Sequence, residues 1–252
     1  MIIAITIFLI SAATLGLELV LLRTLSTGHW HNFSYLVIST ALLGFGAGGT
    51  FICVWAGALT KHYKKAFWAL AFGFAVAVPV VFYLSQKIPL DELQLIWDKR
   101  QIYYLLGYYL LFFIPFFCAG AFLALAFFVF GEKAHRLYFY NMTGSAIGAA
   151  GAVALMYGHP PQQLLLVFSS IGFLAAVLVT LEISRKLFLF TLFTGVAVIL
   201  VFSPPERILD IRLSENKSLV YYRAWQISEP PPAPIIQTFG SSIRWKLSAE
   251  VV

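Results

Sequence analysis

Charge is what this sequence has least of. Only 11% of its 252 residues are Asp, Glu, Lys or Arg, against about 25% in a soluble domain. No acidic residue separates Glu18 from Asp91. A chain so poor in charge cannot solvate a globular surface, which excludes an ordinary water-soluble protein. The net charge of +6 therefore bears on membrane orientation, and no nucleic-acid partner is expected. Cysteine is equally scarce. Cys53 and Cys118 fall inside apolar runs with no metal-type spacing, so they read as small hydrophobes and exclude a disulfide framework. Catalytic sets are missing too: no Ser/His/Asp or Cys/His constellation and no paired carboxylates stand out, so the chain is not expected to be an enzyme by itself. No basic segment precedes the first apolar run, which is long enough to span, so no cleavable signal peptide is expected.

What is abundant is apolar. Hydrophobic residues make up 60% of the chain, with 24 Phe, 12 Tyr and 6 Trp. A helix needs roughly 20 apolar residues to cross the hydrocarbon core of a bilayer. Seven runs approach or exceed that length: Ile2–Leu25, Phe33–Leu59, Ala66–Ser85, Ile102–Phe130, Leu137–Tyr157, Leu164–Leu181 and Leu187–Phe202. Pro79 is expected to bend the third and Pro115 to kink the fourth. The expected fold is an all-α membrane protein of about seven transmembrane helices over residues 1–203. A short interfacial helix in Ile88–Arg100 places Leu90, Leu93 and Trp97 at helical spacing. An extramembrane tail fills 204–252, with the linker Glu229-Pro230-Pro231-Pro232-Ala233-Pro234. Its strand-like end suggests a truncated chain or a tail completed by another subunit.

Basic residues orient the runs. Lys61, Lys64, Lys65, Lys133, Arg136, Arg185 and Lys186 share one side, whereas Arg23, Lys87, Lys99 and Arg100 share the other. Positive residues favour the cytoplasm, so the N-terminus is expected there, the tail outside, and the protein in the cell membrane.

Five positions are conspicuous because lipid makes them costly. Glu18 lies within the first run and needs a partner or a proton, while Arg23, five residues on, can snorkel to the interface. Asn141 is a further polar candidate within the fifth run. His29 and His31 flank Trp30 at the outer end of the first helix; interfacial packing explains them better than a metal or haem, and the cofactor stays unknown. Gly44-x-Gly46-x-x-Gly49 matches the dinucleotide fingerprint literally, yet it lies inside an apolar run with no acid downstream, so helix packing accounts for it. Gly44 and Gly48 share one face, and Gly144 and Gly148 another; helices two and five are expected to cross at these notches.

The run Ser11-Ala12-Ala13 to Glu18-Leu19-Val20-Leu21-Leu22-Arg23, the glycine-rich Leu42–Gly49 and Tyr138–Gly151 (YFYNMTGSAIGAAG) resemble the membrane region of spermidine synthase-like multi-pass proteins. Asn141 stands where those carry an acid. Leu213–Leu219 resembles their lead into the synthase domain, but neither a nucleoside-binding glycine loop nor a polyamine-gripping aspartate cluster is present. Gly57–Lys65 (GALTKHYKK) is similar in part to a cytoplasmic loop of major facilitator transporters, with Thr60 in place of an acid. The leading expectation is an anchoring or scaffolding subunit, with the lipid bilayer and protein subunits as partners. The alternatives are the membrane half of a spermidine synthase-like enzyme and a transporter of small cations or amines acting through Glu18.

Overall fold

In lipid every backbone polar group must be satisfied within its own segment, and long apolar runs therefore become helices. The computed structural model describes residues 2–28, 34–90 and 98–202. The chain divides into two compact units, Met1–Arg212 and Leu213–Val252, and every described residue belongs to the first. Among the described residues there are seven α-helices: α1 (Ile2–Gly28), α2 (Ser34–Leu59), α3 (Tyr63–Ser85), α4 (Arg100–Val129), α5 (Ala134–Leu155), α6 (Pro161–Thr180) and α7 (Arg185–Val201). Short 3-10 turns, Thr60–His62 and Gly131–Lys133, join α2 to α3 and α4 to α5. No strand occurs among these residues.

Four stretches are long and apolar enough to cross a membrane: Ile2–Ser26, Tyr35–Ser85, Arg100–Val129 and Gln163–Thr180. The second, at 51 residues, holds both α2 and α3. The 17-residue α7 and the more polar α5 are not among them. Helices α3 and α4 run unbroken through Pro79 and Pro115. Most of the expected interfacial helix, the histidines His29 and His31, and the tail from residue 203 lie outside the described residues.

The interior is aromatic. Phe67, Phe74, Phe82, Phe112, Phe116 and Phe122 are fully buried, and Phe67 meets Phe122 edge-on at 5.1 Å across the α3–α4 seam. Hydroxyls in these apolar helices close onto their own backbone: Thr14 donates to the Ile10 carbonyl at 2.7 Å and Thr24 to Val20 at 2.7 Å, which removes an orphan donor from an apolar setting. At the periphery, Trp68 Nε1 donates to Thr191 Oγ1 at 2.8 Å and ties α7 to α3.

Glycine notches decide which helices meet. A Cβ at Gly44 would lie 2.6 Å from Phe116 Cβ, and one at Gly48 would lie 2.5 Å from the Ala121 nitrogen. Both notches are therefore filled by α4. A Cβ at Gly144 would strike the Phe8 carbonyl, and one at Gly148 the Ala12 carbonyl, so α5 lies on α1. The expected crossing of helices two and five is corrected: each carries a notch, and each notch receives a different helix. A notch admits any close backbone, and its sequence does not say whose.

These pairings have a hidden regularity. The start of α1, the start of α3, the end of α4, the start of α5 and the end of α6 line one cavity, so consecutive helices alternate in direction. The main packings are α1 on α5, α2 on α4, α3 on α6, α1 on α6 and α3 on α4. Exchanging α1–α3 with α4–α6 turns α1–α5 into α4–α2 and α1–α6 into α4–α3, and leaves α3–α6 unchanged. Because α1 and α4 run oppositely, the exchange inverts direction. The six helices form two three-helix units of inverted topology. The glycine contacts give their register: Phe8 corresponds to Phe116, Ala12 to Gly120, Gly44 to Gly144 and Gly48 to Gly148.

Candidate functional site

The seam between α1 and α5 opens into a cavity of about 130 Å³ lined by Ser11, Thr14, Leu15, Glu18, Phe45, Leu123, Asn141 and Ser145. Its polar members follow from helical spacing. Ser11, Thr14 and Glu18 recur at i, i+3 and i+7 along α1, and Asn141 and Ser145 at i and i+4 along α5, so each set forms one stripe. The Gly144 and Gly148 notches draw the two stripes together. Two residues singled out individually in the sequence as polar groups in apolar runs, Glu18 and Asn141, thus share one site.

Ser11 Oγ donates to Asn141 Oδ1 at 2.7 Å. Thr14 spends its proton on Ile10 and keeps oxygen lone pairs for the cavity. Among the described residues no hydrogen bond or ion pair engages the Glu18 carboxyl, the Ser145 hydroxyl or the Asn141 amide nitrogen. Arg23 does not line the cavity. It lies about 7 Å further along α1 and donates through Nη1 to the Met156 carbonyl at 2.9 Å, which anchors the far end of the α1–α5 seam.

The repeat sharpens the meaning of this cavity. Leu15 and Leu123 occupy equivalent positions, as do Phe45 and Ser145, and all four line it. The equivalents of Ser11, Thr14 and Glu18 are Ala119, Phe122 and Ala126, all fully buried, and the equivalent of Asn141 is Ala41. Every polar group of the site thus comes from one seam, and its counterpart in the other is apolar.

The chemistry open to this donor set is narrow. One carboxyl surrounded by neutral oxygens suits a monovalent cation, an ammonium group or a proton. A divalent metal needs more negative charge, and no group of three or more His, Cys, Asp and Glu side chains gathers among the described residues. Sequence reading missed Ser11, Thr14 and Ser145 as site members, although their spacing from Glu18 and Asn141 carried the signal.

No family model, no curated protein and no solved structure matches the chain. The resemblances to spermidine synthase-like and major facilitator membrane proteins rest on the quoted motifs alone.

Proposed function

We propose that this chain is an integral membrane protein crossing the bilayer seven times, with its N-terminus cytoplasmic, and that it binds a small cation or amine at Glu18 as a transporter does. The observation that carries this reading is the convergence of Glu18, Asn141, Ser11 and Ser145 on one cavity. Its place at the interface of two inverted three-helix units supports it, because many secondary transporters bind substrate near the bilayer midplane at such an interface. An ionisable residue inside a membrane helix is costly and is by default a functional site. Glu18 supplies the charge, Asn141 and Ser145 orient the ligand, and Ser11 positions Asn141. The purified protein in proteoliposomes should take up methylammonium, putrescine or a monovalent metal ion above empty liposomes. Glu18→Gln, nearly isosteric, should abolish that uptake while leaving thermal stability within about 1 kcal/mol. Equal uptake by wild type and variant sinks the reading.

A second reading, a scaffold for other membrane subunits, is favoured by the outer side of α2. Gly46, Thr50, Cys53 and Gly57 are exposed there, and a Cβ at Gly46, Gly49 or Gly57 would meet nothing within 4 Å. Small residues on an open helix face suit a docking helix. On this reading the resemblance to spermidine synthase-like proteins suggests an aminopropyltransferase-type domain as the cargo. A reporter fused after Val252 separates the two forms: cytoplasmic signal fits the enzyme half, external signal the scaffold. A stable monomer in mild detergent argues against the scaffold.

A further inference from the structure

Where five helix ends converge, the bundle contains a second cavity, of about 500 Å³, with chemistry opposite to that at Glu18. Lys64 at the start of α3, Lys133 in the turn after α4, and Arg136 at the start of α5 all line it, against the single acid Glu182. Glu182 lies 3.3 Å from Lys64, which leaves two positive charges in excess. Among the described residues neither the Lys133 nor the Arg136 side chain has a hydrogen-bond or ion-pair partner. Positive residues at a cytoplasmic helix end are commonplace. Their convergence from separate elements on one concavity is not explained by that rule.

The walls say what else the occupant must be. Ile3, Phe130 and Leu137 supply apolar surface beside the cations, and the Tyr63 and Tyr140 side chains reach the same space. The cavity therefore suits a molecule with an anionic head and an apolar body. We propose that it binds a phosphate-bearing ligand, with the phosphate oxyanions on Lys133 and Arg136 and Lys64 shared between the ligand and Glu182. Arg136 contributes paired donors that match two phosphate oxygens, and Lys133 acts as a point charge. Basic pockets between helices at the cytoplasmic side are where anionic lipid headgroups bind; a free phosphate compound would satisfy the same cations. This assignment does not depend on the role given to Glu18.

The test uses the full-length protein in a neutral maltoside detergent, with thermal unfolding followed during titration by dioctanoyl phosphatidylglycerol, dioctanoyl phosphatidylcholine or inorganic phosphate. Phosphatidylglycerol should raise the unfolding midpoint of wild type, with phosphatidylcholine at least about tenfold weaker. Arg136→Gln, which truncates an exposed side chain, should weaken the response roughly tenfold, and Lys133→Gln with Arg136→Gln should remove it. Lys65→Gln, outside this cavity, should leave it intact. Stabilisation by phosphatidylglycerol but not phosphate assigns a lipid; stabilisation by both, lost in the same variants, assigns the phosphate group itself. No midpoint shift with either probe overturns the proposal, as does a shift unchanged by Arg136→Gln.

Discussion

Where α5 lies against α1, Gly144 and Gly148 let the Phe8 and Ala12 backbones approach. Where α2 lies against α4, Gly44 and Gly48 do the same for Phe116 and Gly120–Ala121. The side chains one turn away from these notches differ completely. Around the first seam stand Ser11, Thr14, Glu18, Asn141 and Ser145; around the second stand Ala119, Phe122, Ala126, Ala41 and Phe45. Phe51 and Phe117 pack edge-on at 5.5 Å across the second seam. Close approach and polarity are thus separable properties. The notch sets the distance between helices, while its neighbours decide whether the gap holds a dry contact or a ligand. One half of the molecule serves as an internal control for the other.

The largest effect should come from filling the notches. Gly148→Leu must displace the Ala12 backbone, and Gly48→Leu the Ala121 backbone, and neither can move as a flexible side chain would. Overpacking an ordinary core costs about 1–3 kcal/mol; against backbone the cost should exceed that range. Both variants should fail to give monodisperse protein in detergent. Gly46→Leu, whose Cβ meets nothing within 4 Å, should accumulate as wild type does. Normal yield of Gly148→Leu with loss of Gly48→Leu would show that the two seams do not share one packing device.

That contrast also marks what could be read without coordinates. Long apolar runs become helices, so the expected runs nearly coincide with the observed helices: Phe33–Leu59 against Ser34–Leu59, and Ile102–Phe130 against Arg100–Val129. The notches were visible because glycine is costly in a helix unless something needs the space. Their partners were not visible, since a notch admits any close backbone and only the polar stripes of α1 and α5 hinted at which two helices meet. Glu18 and Asn141 drew notice individually as polar residues in lipid. Their meeting depends on which helix fills the Gly144–Gly148 notch, and that is a tertiary fact. The inverted repeat lay deeper still. Equivalent residues are alike at Phe8 and Phe116, Ala13 and Ala121, Leu15 and Leu123, Leu17 and Leu125, and at the notches Gly44 and Gly144 and Gly48 and Gly148, but at few other positions, so the contact register is what aligns the halves.

A smaller but more diagnostic effect should follow from making the dry seam wet. Ala126 is fully buried and occupies the position equivalent to Glu18. Ala126→Glu would introduce an acid where the equivalents of Ser11, Asn141 and Ser145 are Ala119, Ala41 and Phe45. Lacking those oxygens, the variant should be less stable by about 1–3 kcal/mol, the cost of a buried polar group left without partners. Chemical unfolding in mixed micelles would measure it. A cost below about 1 kcal/mol would mean that the polar neighbours of Glu18 do little to accommodate it.

The smallest effect concerns the side chain–side chain bond between Ser11 and Asn141 that crosses the polar seam. Ser11 and Asn141 meet at 2.7 Å, and interhelical hydrogen bonds of this kind average about 0.6 kcal/mol in membrane proteins. A double-mutant cycle of Ser11→Ala and Asn141→Ala should therefore return a coupling near about 0.6 kcal/mol. The fold would survive both changes, because Gly144 and Gly148 continue to hold the helices together. Ligand binding should respond out of proportion to that small number. With Ser11 gone, the Asn141 amide loses the bond that fixes its orientation in the cavity, so Ser11→Ala should weaken cation or amine binding by more than the roughly threefold that 0.6 kcal/mol represents. If stability and binding fall together by the same factor, the bond is merely structural. The polar seam would then differ from its dry counterpart in composition and not in purpose.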